Sequence, residues 1–272
     1  MINPELQTRL RERFNPDGSS LRRAQLRMLQ MLEFIDDVCK NNGIVYWLDS
    51  GTLLGAARHG GYIPWDDDTD ICMSAEDYQK FKKIMLSRKL SDEFVLQCDE
   101  TDSGFYSPWD VLRDLKSEYI QNSELHNKRK YKGLQVDIFY QDDRIYERAR
   151  KWMTFLYNKL ILRVVAGKSI KACAFRPLLP LNYFLLKKVI TPLLHLVHRK
   201  KNDYYRMPYG VCFKSIRYKK NIFPVGQIEF EGKMFNAPRN VDEYLKDIYG
   251  DWEKIPDVDE IQTHNVELKF YC

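Results

Sequence analysis

The chain has 272 residues, 44% of them hydrophobic and 13% aromatic, ample for one large domain with a packed core. A net charge of +5 is too mild to argue for a nucleic-acid partner, although basic residues clump at Lys128 to Lys132, Arg148 to Lys151 and Arg199 to Lys201. Six widely spaced cysteines with no Cys-x-x-Cys pair exclude a zinc finger.

In chain order, MINPELQTRLRERF has no apolar signal-like core, so a reducing cytoplasm is the expected compartment. Asn15 to Ser19 is a turn cluster, and Ser19 or Ser20 can cap the next helix. Met28, Leu32, Ile35 and Cys39 share one face of that helix, predicted over Leu21–Lys40 and stopped by Gly43. Ile44 to Leu48 then reads as a buried strand, and Thr52 to Arg58 as a short helix ended by His59-Gly60-Gly61. Pro64-Trp65 leads into a second strand, Thr69 to Met73, and Ser74-Ala75-Glu76-Asp77 resembles a capping box for a helix to about Leu86. Cys39 and Cys72 fall on apolar faces and are expected as buried free thiols.

Phe94–Cys98, Trp109–Arg113 and Gly133–Tyr140 are further strand candidates, and the stretch of about 145–215 turns mainly helical. Within it, residues 178–197 are apolar enough to raise the question of a membrane span. Lys187 and Lys188 at the centre, each costing about 2.5–3.5 kcal/mol there, exclude one. Residues 178–201 then suit either a helix lying on a bilayer, apolar side down and lysines up, or a core-packing helix. Asn240 caps a final helix through Tyr249, with Gly250 at its end. The pattern predicts an α/β protein with a small mixed sheet.

The chemistry concentrates in residues 46–73. On a strand, Asp68 and Asp70 would project from one side, with Cα atoms about 6–7 Å apart. Carboxylates so placed repel unless a cation sits between them, and Mg²⁺ or Mn²⁺ suits all-oxygen donors. Asp137, inside the apolar run Leu134 to Phe139, is the best third carboxylate; it is costly in a core strand unless paired or metal-bound, though Gln135 and Asp137 would equally share a solvent face. Ser50, Gly51 and Thr52 suit a phosphate cradle at a helix start or simply an ordinary helix N-terminus. Arg58 either binds phosphate or complements the end of its helix. Trp65 either stacks on a base or anchors packing, and Asp49 is a ligand or a helix cap. Asp67 is expected on the surface. Arg113 and Lys116 are candidates to neutralise a pyrophosphate.

SGTLLGAARHGGYIPWDDDTDI (residues 50–71) resembles the core motif of the LicD/fukutin-related family of phosphotransferases, a branch of the nucleotidyltransferase-fold superfamily. Val136-Asp137-Ile138-Phe139 and residues 222–256 support the likeness, which spans roughly 20–140 and 220–264. The resemblance implies one domain over 1–272, a nucleotidyltransferase-like core with a helical variable region at about 145–215. It also implies Asp66, Asp68, Asp70 and Asp137 as ligands of Mg²⁺ or Mn²⁺, with Asp137 the general base. Tyr249, Asp251, Trp252 and His264 match family-like positions. The implied reaction moves a phospho-alcohol, foremost phosphocholine, from a CDP-linked donor to a cell-surface glycan such as lipopolysaccharide or capsule, with the acceptor lipid-linked or free. The rivals are a true nucleotidyltransferase and a non-catalytic glycan-binding relic.

Overall fold

A computed structural model describes residues 2–120, 126, 129–165, 174–210, 216–259, 261 and 267–271. Lys128, Cys173, Cys212, His264 and Cys272 lie outside them. The core is a five-stranded mixed sheet, ordered β1-β2-β6-β4-β3. Its strands are β1 (Tyr46–Leu48), β2 (Asp70–Ser74), β3 (Phe94–Gln97), β4 (Asp110–Asp114) and β6 (Gln135–Gln141). Within this sheet only β2 and β6 run parallel to each other; the other three pairs are antiparallel.

Side chains alternate across the strands, so the sheet has two unlike faces. Ile71, Met73, Val136, Ile138 and Leu112 point into the apolar core. There α2 (Ser20–Asn41) and α4 (Ala75–Ser87) cover them. Helix α2 begins at Ser19, whose hydroxyl accepts from Arg22 N–H, and it buries Met28, Leu32, Ile35 and Cys39 as its periodicity requires. Ser74 caps α4 by accepting the Asp77 amide, and its own hydroxyl donates to the Asp77 carboxylate. Cys39 and Cys72 are buried free thiols.

On the other face sits α3 (Ser50–His59), ended by Gly60 in the left-handed conformation. An antiparallel hairpin, β9 (Gly226–Phe230) and β10 (Lys233–Ala237), and the C-terminal helix α9 (Val241–Tyr249) lie beside it. Asn240 caps α9 and Gly250 follows it, as the sequence predicts. Helix α1 (Pro4–Phe14), that hairpin, and the pairing of β5 (Ser117–Ile120) with β11 (Glu267–Phe270) were not expected from the sequence.

The predicted helical stretch is present as α5 (Glu147–Val165), then α6 (Leu178–Phe184), a π-helical segment Leu185–Ile190 and α7 (Thr191–Val197). Short strands β7 (Tyr204–Tyr205) and β8 (Arg217–Tyr218), and one turn of helix α8 (Lys219–Ile222), return the chain to the core. Lys187 does not point to solvent. It turns inward to Asp110 (3.3 Å) and Asp99 (3.1 Å), because the fully buried Asp110 needs a counter-charge. No described helix is long and apolar enough to cross a membrane.

Candidate active site

Strands β2 and β6 align so that Asp70 lies directly opposite Asp137, and paired residues in parallel strands face the same side. Adjacent strands are about 4.8 Å apart, so two carboxylates start from neighbouring backbones on one face. The register is latched locally. Asp137 N–H donates to Thr69 C=O (2.8 Å), and Asp70 N–H donates to the Thr52 hydroxyl (2.8 Å), tying the start of β2 to α3.

Asp68 departs from the expectation. It precedes β2, which begins at Asp70, so the two do not share a strand face. Aspartate is a poor strand former, and the ladder starts only where β2 gains a partner on either side. From the loop, Asp68 nonetheless acts on Asp66, Asp70 and Asp137. Asp67 is also corrected: it is half-buried and accepts the Tyr119 hydroxyl (3.0 Å), whereas Asp68 is the exposed member.

Burial, and then repulsion from Asp68, raises the pKa of Asp66 well above the usual carboxylate range. Asp70 is raised for the same reasons, with Asp137, Asp49 and Asp66 adding to Asp68. Asp137 is pushed up to about 7 by burial and by Asp68, with Arg113 opposing. A cluster of this kind fits a hard divalent cation, which supplies the charge the carboxylates lack. Their oxygens are not drawn tightly together: among the described residues, three ligand atoms come within 4.8 Å of one another only at Cys98, Asp99 and Asp110. That second group is no metal site in this state, because Lys82 and Lys187 already pair with its carboxylates.

Ser50 has a left-handed backbone (φ 47°), a conformation about 1–2 kcal/mol dearer than the right-handed one for a non-glycine residue. It turns the chain from β1 into α3. Asp66 sits over the first turn of that helix: a Cβ on Gly51 would lie 2.7 Å from Asp66 Oδ2. Gly51 is therefore small because a carboxylate occupies the space. Gly51→Ala is expected to displace Asp66 and lower turnover on the order of 10²-fold with the fold retained, as steady-state kinetics and a melting curve would show.

Arg113 extends from β4 on the face of Asp137, since Val111 pairs with Asp137 and Arg113 follows two residues on. Gln97 Oε1 accepts from its Nε (2.5 Å) and Gly133 C=O from Nη1 (2.7 Å), while the buried Nη2 has no hydrogen-bond partner among the described residues. Burial, and then Arg129, lowers its pKa to about 9, so it stays cationic at neutral pH. Lys116 is not brought in. It sits on the turn after β4, about 16 Å along the chain from Val111, and its charge is felt by Asp92 instead.

Other expectations resolve plainly. Arg58 spends Nη1 on the carbonyls of Trp252 and Lys254 (both 3.0 Å) and Nε on His59 (3.0 Å), so it pins the C-terminal segment to α3. Trp65 packs edge-on against Phe14 and His59, a packing anchor. Thr52 spends its hydroxyl on the Asp70 amide and Ser50 donates its own to Asp49, so both hold the turn in shape. Asp49 occupies the N-cap position of α3 but makes no capping bond. It accepts instead from Arg217 Nε (3.2 Å) and Nη2 (3.1 Å) and from the Tyr244 hydroxyl (2.7 Å), which in turn accepts from Trp47 Nε1. Burial alone would raise the Asp49 pKa, but Arg217 holds it below the usual range. The end of α9 brings in Tyr249, whose hydroxyl is pushed up by burial and by Asp49, Asp70 and Asp66.

Sequence reasoning placed Gln135 on the face of Asp137 but missed that it donates to Asp137 Oδ1 (2.7 Å), and it missed the partners Arg217 and Tyr244. Gln135 shares a strand face with Asp137 and was findable by alternation. Arg217 lies 168 positions from Asp49, with no local signal.

A mixed α/β sheet that aligns an aspartate at the start of β2 with one on β6, beside a Ser-Gly-Thr helix start, is the arrangement expected of the nucleotidyltransferase fold. Residues 43–166 match the family described as "LicD/FKTN/FKRP, nucleotidyltransferase domain", which supports the likeness to the LicD/fukutin-related family. It is 26% identical over 267 residues to "Lipopolysaccharide cholinephosphotransferase LicD" of Haemophilus influenzae, covering 91% of this chain and 97% of that protein. It is 50% identical over 95 residues to "Ribitol 5-phosphate transferase FKRP" of Mus musculus, covering 34% of this chain and 18% of that one. Over 106 residues it is 29% identical to "Ribitol-5-phosphate transferase FKTN" of Mus musculus, covering 37% of this chain and 23% of that protein.

Proposed function

We propose that this chain is a divalent-cation-dependent phosphotransferase that moves a phospho-alcohol, foremost phosphocholine, from a CDP-linked donor to a sugar hydroxyl of a cell-surface glycan. The carrying observation is the register pair Asp70–Asp137, buried on one sheet face with Asp68 and Asp66 beside it and the free N–H of Arg113 on the same face. Near end-to-end similarity to a cholinephosphotransferase supports the carried group. The whole chain acts as one unit, with about 145–215 its variable part, in the cytoplasm on a free or lipid-linked acceptor.

Asp66, Asp68, Asp70 and Asp137 would hold Mg²⁺ or Mn²⁺, whose chemistry is to neutralise the diphosphate and orient the transferred phosphoryl group. Arg113 offers its unpaired Nη2–H to a donor oxygen. Asp137 takes the proton of the acceptor hydroxyl as that oxygen bonds to phosphorus. The bond from phosphorus to the bridging oxygen breaks, and its electron pair leaves with CMP.

A thermal-shift panel with Mg²⁺ or Mn²⁺ plus CDP-choline, CDP-ribitol, CDP-glycerol or CTP tests this directly. The true donor is expected to stabilise the fold by about 2.7 kcal/mol at a hundredfold excess over Kd, and only with the cation. Turnover should then release CMP; release of pyrophosphate from CTP would instead make the protein a nucleotidyltransferase.

A further inference from the structure

We propose that the helical unit α5–α7 docks this protein on an anionic lipid bilayer. The observation is an apolar surface that the fold does not use. Of the sixteen large hydrophobic side chains exposed among the described residues, ten lie between Tyr146 and Val197. Along the π-helical segment and α7, Leu186, Ile190 and Leu194 pack inward with Met153, Tyr157 and Tyr209 in a second, smaller apolar cluster, and Leu179 and Tyr183 of α6 are buried as well. The outward side is apolar as well: Leu181, Phe184, Leu193, Leu196 (66% exposed) and Val197 (85% exposed) meet solvent, with Phe155 of α5 exposed beside them. A helix apolar on both faces needs a second apolar neighbour.

Charge selects that neighbour. Residues 148–201 contain thirteen Lys and Arg and no Asp or Glu, while the whole chain is only +5, so the remainder carries −8. Lys187 is committed inward, but Arg148, Lys151 and Lys159 are exposed on α5, and Arg199, Lys200 and Lys201 are exposed just after α7. A second copy of the chain would bring the same positive charge against itself, and a nucleic acid would leave the leucines uncovered. A bilayer with anionic headgroups satisfies both, burying the apolar side and attracting the basic rim. The inward Lys187–Asp110 and Lys187–Asp99 pairs hold the unit to the sheet, so the face is presented by a fixed element.

Co-sedimentation of the full chain with phosphatidylcholine vesicles, with and without phosphatidylglycerol, tests this independently of catalysis. Binding is expected only to the anionic vesicles and should weaken as salt rises. Leu196→Ser with Val197→Ser should cut the bound fraction about tenfold at unchanged melting temperature, and Arg199→Glu with Lys200→Glu should do the same. No binding to anionic vesicles, or binding indifferent to both double variants, overturns the proposal. So does a lipid-free dimer, seen by sedimentation velocity, that Leu196→Ser with Val197→Ser converts to monomer.

Discussion

Asp70→Asn is expected to lower transfer on the order of 10³-fold or more while raising the melting temperature of the cation-free protein. The loss comes from removing one member of the pair that two neighbouring strands align on the site face, and such electrostatic anchors carry several kcal/mol of transition-state stabilisation. The gain comes from the same geometry. Asp70 is 7% exposed and is burdened by burial and by four other carboxylates, so a neutral amide of equal shape relieves repulsion. Relief of about 1–2 kcal/mol corresponds to a rise of roughly 2–8 °C. Differential scanning calorimetry in chelator, paired with a CMP-release assay, reads both signs. A variant both inactive and destabilised would mean that Asp70 serves the fold and not the chemistry.

Arg217→Met is expected to destabilise the protein by about 3–5 kcal/mol, measured by urea denaturation, because it strands Asp49 as a buried, uncompensated charge. Asp49 is 2% exposed and already adds to the load on Asp70, so losing its partner propagates into the site. The double variant Asp49→Asn with Arg217→Met should recover most of that loss, since neither charge then remains to be paired. If both single variants melt like the parent, the Asp49–Arg217 pair does not anchor the turn that opens α3.

The legible part of the chain was local. Helices α2, α4 and α9 announced themselves because each has a capping side chain, and α2 and α9 have a glycine terminator close by in sequence. Asp137 was findable because a carboxylate inside an apolar strand is costly without a partner. Asp68 was misplaced because side-chain alternation was applied before the strand begins. The hairpin β9–β10 turns at Glu231-Gly232, both with positive φ, but its strands alternate polar and apolar for too few residues to stand out. The β5–β11 pairing and the Asp49–Arg217 pair join residues more than a hundred positions apart, which no local pattern encodes. Arg58 was misjudged for a related reason: its partners are backbone carbonyls of a distant segment.

The most direct measurement is a Mn²⁺ titration followed by electron paramagnetic resonance of the free ion, in the presence of CDP-choline. The parent protein is expected to withdraw the ion from solution, and Asp70→Asn and Asp137→Asn should leave it free. If both asparagine variants bind Mn²⁺ as tightly as the parent, the paired aspartates of β2 and β6 are not where the cation sits.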